Sequence, residues 1–269
     1  MIANRKIGFL IFLSLLLFGT TAAGPKPSAL IKAVFESREF HQRYGSCTDS
    51  NYNCINVEIY YPEIISTPSE NAKDSINKYI KDYILRSSDD TIKPKSLDEV
   101  GSILFEEYSE ILKNMGIYPA WEYKDSGWVA SDTCGILSVA FDYFGYFGGA
   151  HPGYGRSFFN FDIYSGKRVR LEDILTKGYK VKFSKVAEQR FKEVKQLPLD
   201  IKLTETGFWF QNDNFPIDEN YSISNQGVVL YYNPYEIGPS VEGSTELLIK
   251  YEEIEYLIDE KDLLKRQPR

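Results

Sequence analysis

Apolar and polar positions change period several times along this chain, and the changes mark its elements. Val57, Ile59 and Tyr61 alternate with Glu58 and Tyr60, the two-residue period of a strand with one buried face. Cys54 to Tyr61 is therefore expected to be a strand, as is Leu30 to Phe40. At Thr67 the pattern shifts. Thr67-Pro68-Ser69-Glu70 reads as an N-cap, a proline at the first helical position and an acid completing a capping box. Ile76, Tyr79, Ile80, Tyr83 and Ile84 then recur at helical spacing. A second capping box, Ser96 to Glu99, opens a helix whose stripe is Val100, Ile103, Leu104, Tyr108, Ile111, Leu112 and Met115. Gly116 stands where a C-cap glycine would.

Strand periodicity returns at Ala120 to Ala130 and at Ile136 to Phe147, where Leu137, Val139, Phe141 and Tyr143 share a face. Gly148 to Gly153 breaks the pattern. Ser157 to Tyr164 resumes it with Phe159, Phe161 and Ile163 on one side, and Ser165-Gly166-Lys167 is a turn. Leu171 to Leu175 is expected to be a short helix. Lys180 to Lys195 is a longer one with Phe183, Ala187, Phe191 and Val194 inward. Phe208 to Phe210, Val228 to Tyr232 and Thr245 to Tyr251 read as further strands. Helices and strands do not alternate strictly, which predicts an α+β fold with mostly antiparallel sheets and packed helices. The Gly-rich break divides it into two intimately joined subdomains, 30–147 and 148–258, with a charged tail at 259–269.

The N-terminus carries a different pattern. Arg5 and Lys6 precede an apolar run from Ile7 to Phe18, and Thr21-Ala22-Ala23 follows. A spanning helix needs about 20 apolar residues, so residues 1–23 read as a cleavable signal peptide; retention as an anchor is the alternative. No cysteine sits just after the run to take a lipid. The full chain has 31 basic and 38 acidic residues, net −7; without residues 1–23 the balance is 29 against 38, net −9. That excess of acid disfavours nucleic acid and anionic membrane surfaces. Export places the product in the periplasm or outside the cell, where disulfides persist. Cys47 and Cys54 bracket the turn-rich segment Thr48 to Asn53, and a disulfide closing it is the leading one of three single pairings. Cys134 is then a free thiol.

The side-chain inventory narrows the chemistry. Two histidines, His41 and His151, are few for a metal-dependent hydrolase, and neither has a partner at helical ligand spacing. No Ca²⁺-loop pattern, Gly-x-Ser-x-Gly turn, phosphate loop or dinucleotide fingerprint occurs. No metal or other cofactor is expected. A Ser–His–Asp triad through His151 is a distant option, because triads assemble from remote segments. His151 lies in Tyr146-Phe147-Gly148-Gly149-Ala150-His151-Pro152-Gly153-Tyr154, where it is expected to bond a carbonyl and lock the turn. The sharper reading makes this loop part of a ligand surface.

Several of these pieces together resemble the PdaC/RsiV-like family. They are Gly148-Gly149-Ala150-His151-Pro152 between aromatic strands, Phe159 to Lys167, and Leu171 to Leu175. Tyr231-Tyr232-Asn233-Pro234-Tyr235-Glu236-Ile237-Gly238-Pro239, Gly243 and Leu248 to Tyr251 continue the match, and Cys54 to Phe147 fits the family's N-terminal half. The resemblance covers roughly residues 30 to 258 and departs from the family at Lys250, where a proline is frequent. It implies an extracytoplasmic α+β module with two subdomains. One branch of the family binds lysozyme as the outer part of an anti-sigma factor; another accompanies a peptidoglycan deacetylase. This chain lacks the sigma-binding segment of the first and the metal-binding catalytic domain of the second. The expectation is a secreted or periplasmic non-enzymatic binding module for a lysozyme-like protein or a cell-wall glycan, with no membrane span after signal cleavage. His151, Tyr154, Pro234 and Tyr235 are its candidate ligand contacts. The alternatives are a structural envelope protein without a specific ligand and, more remotely, a hydrolase using His151.

Overall fold

The expected strand at Cys54 is the inner part of a much longer hairpin. In the computed structural model, which describes residues 32–48, 51–87, 91–116 and 118–258, β1 (Val34–Thr48) pairs antiparallel with β2 (Asn51–Ser66) along its whole length. Pairing extends to Thr48 and Asn51, and Cys47 is disulfide-bonded to Cys54 with the Cα atoms 5.2 Å apart. Cys134 is free. The export segment, the charged tail and the expected strand start at Leu30 lie outside the described residues.

α1 (Glu70–Ile84) and α2 (Leu97–Met115) follow the predicted stripes. The start of α1 differs from expectation. Its N-cap is Ser69, whose hydroxyl accepts from Ala72 N, while Thr67 Oγ1 donates to the Ser69 carbonyl at 2.6 Å and makes a turn ahead of the helix. In α2 the Ser96 hydroxyl accepts from Glu99 N at 3.2 Å, and the Glu99 carboxylate accepts from Lys95 N at 2.6 Å. The two helices form the crossover that returns the chain to β3 (Trp121–Thr133), parallel to β2, as a connection between parallel neighbours requires. β4 (Ile136–Tyr146) and β5 (Gly153–Asp162) complete a five-stranded sheet in the order β1-β2-β3-β4-β5, antiparallel except at the β2–β3 pair. The Gly148 to Gly153 break is therefore the connection between two neighbouring strands of one sheet.

One face of that sheet packs on α1 and α2. Ile55, Val57 and Ile59 from β2 meet Leu137, Val139 and Phe141 from β4, under Ile76, Ile80 and Ile84 of α1 and Val100, Leu104 and Tyr108 of α2. Each fully buried Ile or Leu contributes about 1.5–3 kcal/mol by leaving water. A second core lies further along the chain. α3 (Lys180–Val194) places Phe183, Ala187 and Phe191 against an antiparallel sheet of β6 (Tyr221–Ile223), β7 (Gly227–Tyr232) and β8 (Thr245–Lys250). Val194 and Met115, predicted inward, are exposed; each is the last residue of its helix. Phe208 to Phe210 is not a strand. Its phenylalanines turn inward from a loop, with the Phe208 and Phe210 rings 4.9 and 5.3 Å from that of Phe191. Leu171 to Asp173 forms a single 3-10 turn.

The cores are joined by a buried polar node. Asn160 of β5 donates from Nδ2 to the Tyr221 carbonyl at 2.8 Å and accepts at Oδ1 from Ile223 N at 3.1 Å. Ser138 of β4 hydrogen-bonds the same Asn160 oxygen and accepts from Ile223 N at 3.1 Å. A buried amide with these partners meets the hydrogen-bonding demand of the β6 backbone. No helix among the described residues is long and apolar enough to cross a membrane.

Candidate functional site

The inward face of β3 reads Trp121, Tyr123, Asp125, and all three are buried. An acid in that series must find partners, because an isolated buried carboxylate is strongly disfavoured. Asp125 has two: Arg86 Nη2 donates to Oδ1 at 2.7 Å, and the Tyr123 hydroxyl donates to Oδ2 at 2.9 Å. Arg86 stands just past the end of α1. Its Nη1 donates to the Tyr83 carbonyl at 2.9 Å, and its guanidinium lies 4.0 Å from the Tyr83 ring centroid. Burial works against the Arg86 cation, but Tyr123 and Asp125 outweigh it and hold the group charged. Burial, then the charge of Asp125, pushes the Tyr123 phenol well above its ordinary range. Burial also raises the phenols of Tyr83 and Tyr143. All three phenols stay neutral at physiological pH.

Above this pair the structure opens a cavity of about 370 Å³, within the range of small-ligand sites. Tyr83, Tyr123, Tyr143 and Phe147 supply its aromatic walls, Val100, Ile103 and Leu104 of α2 an apolar ridge, and Arg86 its guanidinium. Gly155, Ser157 and Asn233 form the far edge. Gly145 leaves the space that two walls occupy: a Cβ there would lie 2.2 Å from the Tyr143 hydroxyl and 2.6 Å from the Phe147 ring. Arg156 also borders the cavity, but strand alternation sends its side chain to the opposite face. There it is held by both Asp142 oxygens at 2.7 and 2.9 Å, with its guanidinium 5.1 Å from the Trp128 and Tyr231 rings.

Asn233 brings the C-terminal segment to this edge. Its Oδ1 accepts from Arg156 N at 2.6 Å and its Nδ2 donates to the Arg156 carbonyl at 3.1 Å, so a side chain stands in for a neighbouring strand along β5. Gly155 permits the approach, since a Cβ there would meet Asn233 Oδ1 at 3.1 Å.

The residues singled out in the sequence sit around the site, and none lines the cavity. Tyr154 precedes the Gly155 edge and is exposed. Pro234 and Tyr235 follow Asn233. Tyr235 is 64% exposed, held at φ +70 and stacked at 6.3 Å on Trp209. His151 is exposed, and its imidazole has no hydrogen-bond partner among the described residues, so it does not lock the turn as expected. The turn is held from α2's side by the Tyr118 hydroxyl, which donates to the Phe147 carbonyl at 3.3 Å. Sequence reading missed Arg86 and Asp125. The available signal was an acid in phase with Trp121 and Tyr123 on an inward strand face. Among the described residues, no three His, Cys, Asp or Glu side chains are placed to hold a metal ion.

Two family models match the chain: "Deacetylase PdaC" over residues 48–154 and "Protein of unknown function (DUF3298)" over residues 172–252. Peptidoglycan-N-acetylmuramic acid deacetylase PdaC of Bacillus subtilis is 26% identical over 133 residues. That alignment covers 49% of this chain but 27% of the relative, so the chain spans about a quarter of the curated protein it matches. A crystal structure of a DUF3298 family member from Bacteroides fragilis superposes with a TM-score of 0.70 at 22% identity, covering 87% of this chain and 97% of that one. A DUF3298 family protein from Pseudomonas aeruginosa gives 0.61 at 20% identity, covering 84% and 95%. At such identities the likeness speaks for the fold, which it assigns as α+β. With a PdaC-like stretch followed by a DUF3298-like stretch, the chain is similar to the PdaC/DUF3298-like family over both.

Proposed function

We propose that this protein is an exported, non-enzymatic binding module of the cell envelope whose cavity takes a unit of the cell-wall glycan. One observation carries the reading: a cavity of about 370 Å³ with four aromatic walls and a single guanidinium fixed by a buried carboxylate. Flat apolar walls suit the C–H faces of a sugar ring, and a few fixed donors suit its oxygens. The name of the Bacillus relative places that protein at peptidoglycan, and the Cys47–Cys54 disulfide fits an oxidising compartment outside the cytoplasm. Tyr154, Pro234 and Tyr235 would extend the contact along the rim, with His151 in the adjoining loop. In this reading the 30–147 and 148–258 subdomains share the site through β5 and Asn233.

The test is calorimetric titration with soluble peptidoglycan fragments and, separately, with lysozyme. Fragments should bind the wild type and fail to bind Ile103→Trp, whose added ring fills the cavity. Binding of lysozyme alone would reassign the module to a lysozyme-like protein. Binding of neither would leave a structural envelope protein. Cleavage of fragments that His151→Ala abolishes would make it a hydrolase.

A further inference from the structure

A second cavity, of about 160 Å³, lies between the chain from Arg168 to Lys180 and that from Ile217 to Tyr221. Leu171, Tyr179 and Tyr221 are its buried residues. Arg168 stands beside them. Its guanidinium lies 4.9, 4.8 and 5.5 Å from the ring centroids of Tyr79, Phe159 and Phe161, so aromatic carbon covers part of it. Nη1 donates to the Tyr79 hydroxyl at 2.5 Å, and Nε is buried without an acceptor. Arg86, Arg156 and Arg190 each hold a carboxylate at 2.6 to 2.7 Å. Arg168, with five donors and a permanent charge, has no such partner among the described residues. A half-buried cation in that state favours an anion entering the cavity. The start of α3 adds to the field. Its N-cap, Tyr179, makes no side-chain cap and its first turn holds no acid, so the positive end of the helix dipole is not offset by the helix's own residues.

The same cavity also offers negative charge. Asp218 and Glu219 line it, while Arg170 and Glu172 pair with each other at 3.6 Å. Burial, then the charges of Glu172 and Glu219, raises the Tyr179 phenol, which places those acids close to the cavity wall. A phosphate dianion would meet these acids as well as the guanidinium, and like-charge contacts disfavour it. A ligand with one carboxylate and one ammonium meets both signs. Leu171 and Ile217 give it apolar wall, and the volume is below that of drug-sized sites, which suits a small molecule. We propose that this cavity binds a free α-amino acid with a small apolar side chain, its carboxylate accepting from Arg168 and its ammonium donating to Asp218 and Glu219. The proposal is independent of the glycan reading, because these residues do not line the aromatic cavity.

Calorimetric titration of the wild-type protein with alanine, valine and leucine tests it. Propionate, ethylamine and inorganic phosphate serve as probes carrying one sign of charge each. At least one amino acid should bind. Propionate and ethylamine should bind at least about tenfold more weakly, since each lacks one charge-assisted contact. Arg168→Gln should weaken amino-acid binding at least about tenfold while the circular dichroism spectrum is kept. Asp218→Asn/Glu219→Gln alters two exposed side chains and should bring amino-acid binding down to that of propionate. Binding of no amino acid overturns the proposal, as does propionate or phosphate binding as tightly as the amino acid. Unchanged affinity in a folded Arg168→Gln protein overturns it too. If Arg168→Gln does not fold, the rim variant decides: unchanged amino-acid binding there overturns recognition of the ammonium and with it the proposal.

Discussion

Removing Arg86 tests whether the ion pair at the cavity floor is a stability element. Arg86→Ala leaves Asp125 fully buried with Tyr123 as its remaining donor. Breaking a buried pair from one side costs about 3–5 kcal/mol, because the surviving charge is stranded. Here the low end applies, about 3 kcal/mol, since the Arg86 side chain is 32% exposed and part of its charge is already hydrated. Asp125→Asn removes the buried charge but keeps an oxygen able to accept from Tyr123, so it should cost less, about 1–2 kcal/mol. The double variant is the informative one. Without Arg86 the Asn is a neutral buried amide and no longer a stranded ion. Arg86→Ala/Asp125→Asn should therefore be more stable than the sum of its parents predicts, by about 1 kcal/mol or more. Urea unfolding followed by circular dichroism measures all four proteins, with equal m-values required for the comparison. An Arg86→Ala loss under about 1 kcal/mol, or strict additivity in the double variant, would refute the argument.

Reduction of Cys47–Cys54 should cost about 2.5 kcal/mol, the chain-entropy value for so short a loop, read as a urea midpoint shift with and without reductant. Stability should also fall at alkaline pH. Burial raises the phenols of Tyr123, Tyr221 and Tyr232 from an ordinary value of 10.0, so the folded state keeps protons that the unfolded chain releases. Their contribution is intact below about pH 10 and is lost above it, at about 1.4 kcal/mol per pH unit for each phenol; a flat urea midpoint across that range would contradict it. Asn160→Leu removes the donor to the Tyr221 carbonyl and one of the two acceptors of Ile223 N, Ser138 being the other, so it should cost about 1–3 kcal/mol in the same unfolding assay.

The helices were legible because their stripes and caps agree. Ser96 and Gly116 bound α2 as its sequence predicts. At α1 two hydroxyls compete for the same role, and periodicity does not choose between Thr67 and Ser69. Short apolar runs were less legible. Phe208-Trp209-Phe210 has a strand's composition, yet its phenylalanines are recruited one by one by Phe191. β6 has three residues, too few to show a period, and is specified by Asn160 and Ser138 from other strands. Long-range partners decide such segments. The strand limits at Phe40 and Cys54 were read short for a related reason: Asn, Asp and Ser between Cys47 and Cys54 have turn preferences, but pairing carries β1 to Thr48 and β2 from Asn51.

The cavity was illegible for a different reason. A pocket is space that core-facing residues leave unfilled, and its walls come from α1, α2, β3, β4, β5 and the segment at Asn233. No local pattern records that these meet. What sequence does record is the exception within a pattern, and Asp125 is that exception: the inward series of β3 runs Trp121, Tyr123, Asp125. An acid placed there must be answered by a cation, and Arg86 answers from the end of α1, 39 positions away. The glycine-rich break instead directed attention to the rim, because glycine marks unusual backbone and not the chemistry beside it. The rim and floor are still linked. Asn233 clamps β5 at Arg156 and is followed directly by Pro234 and Tyr235, so the exposed turn and the cavity edge are positioned by the same side chain. The matched stretches 48–154 and 172–252 both contribute to the lining, and β5 runs out of the first toward the second. On the proposed reading, a ligand in the cavity would touch both matched stretches, the second through Asn233.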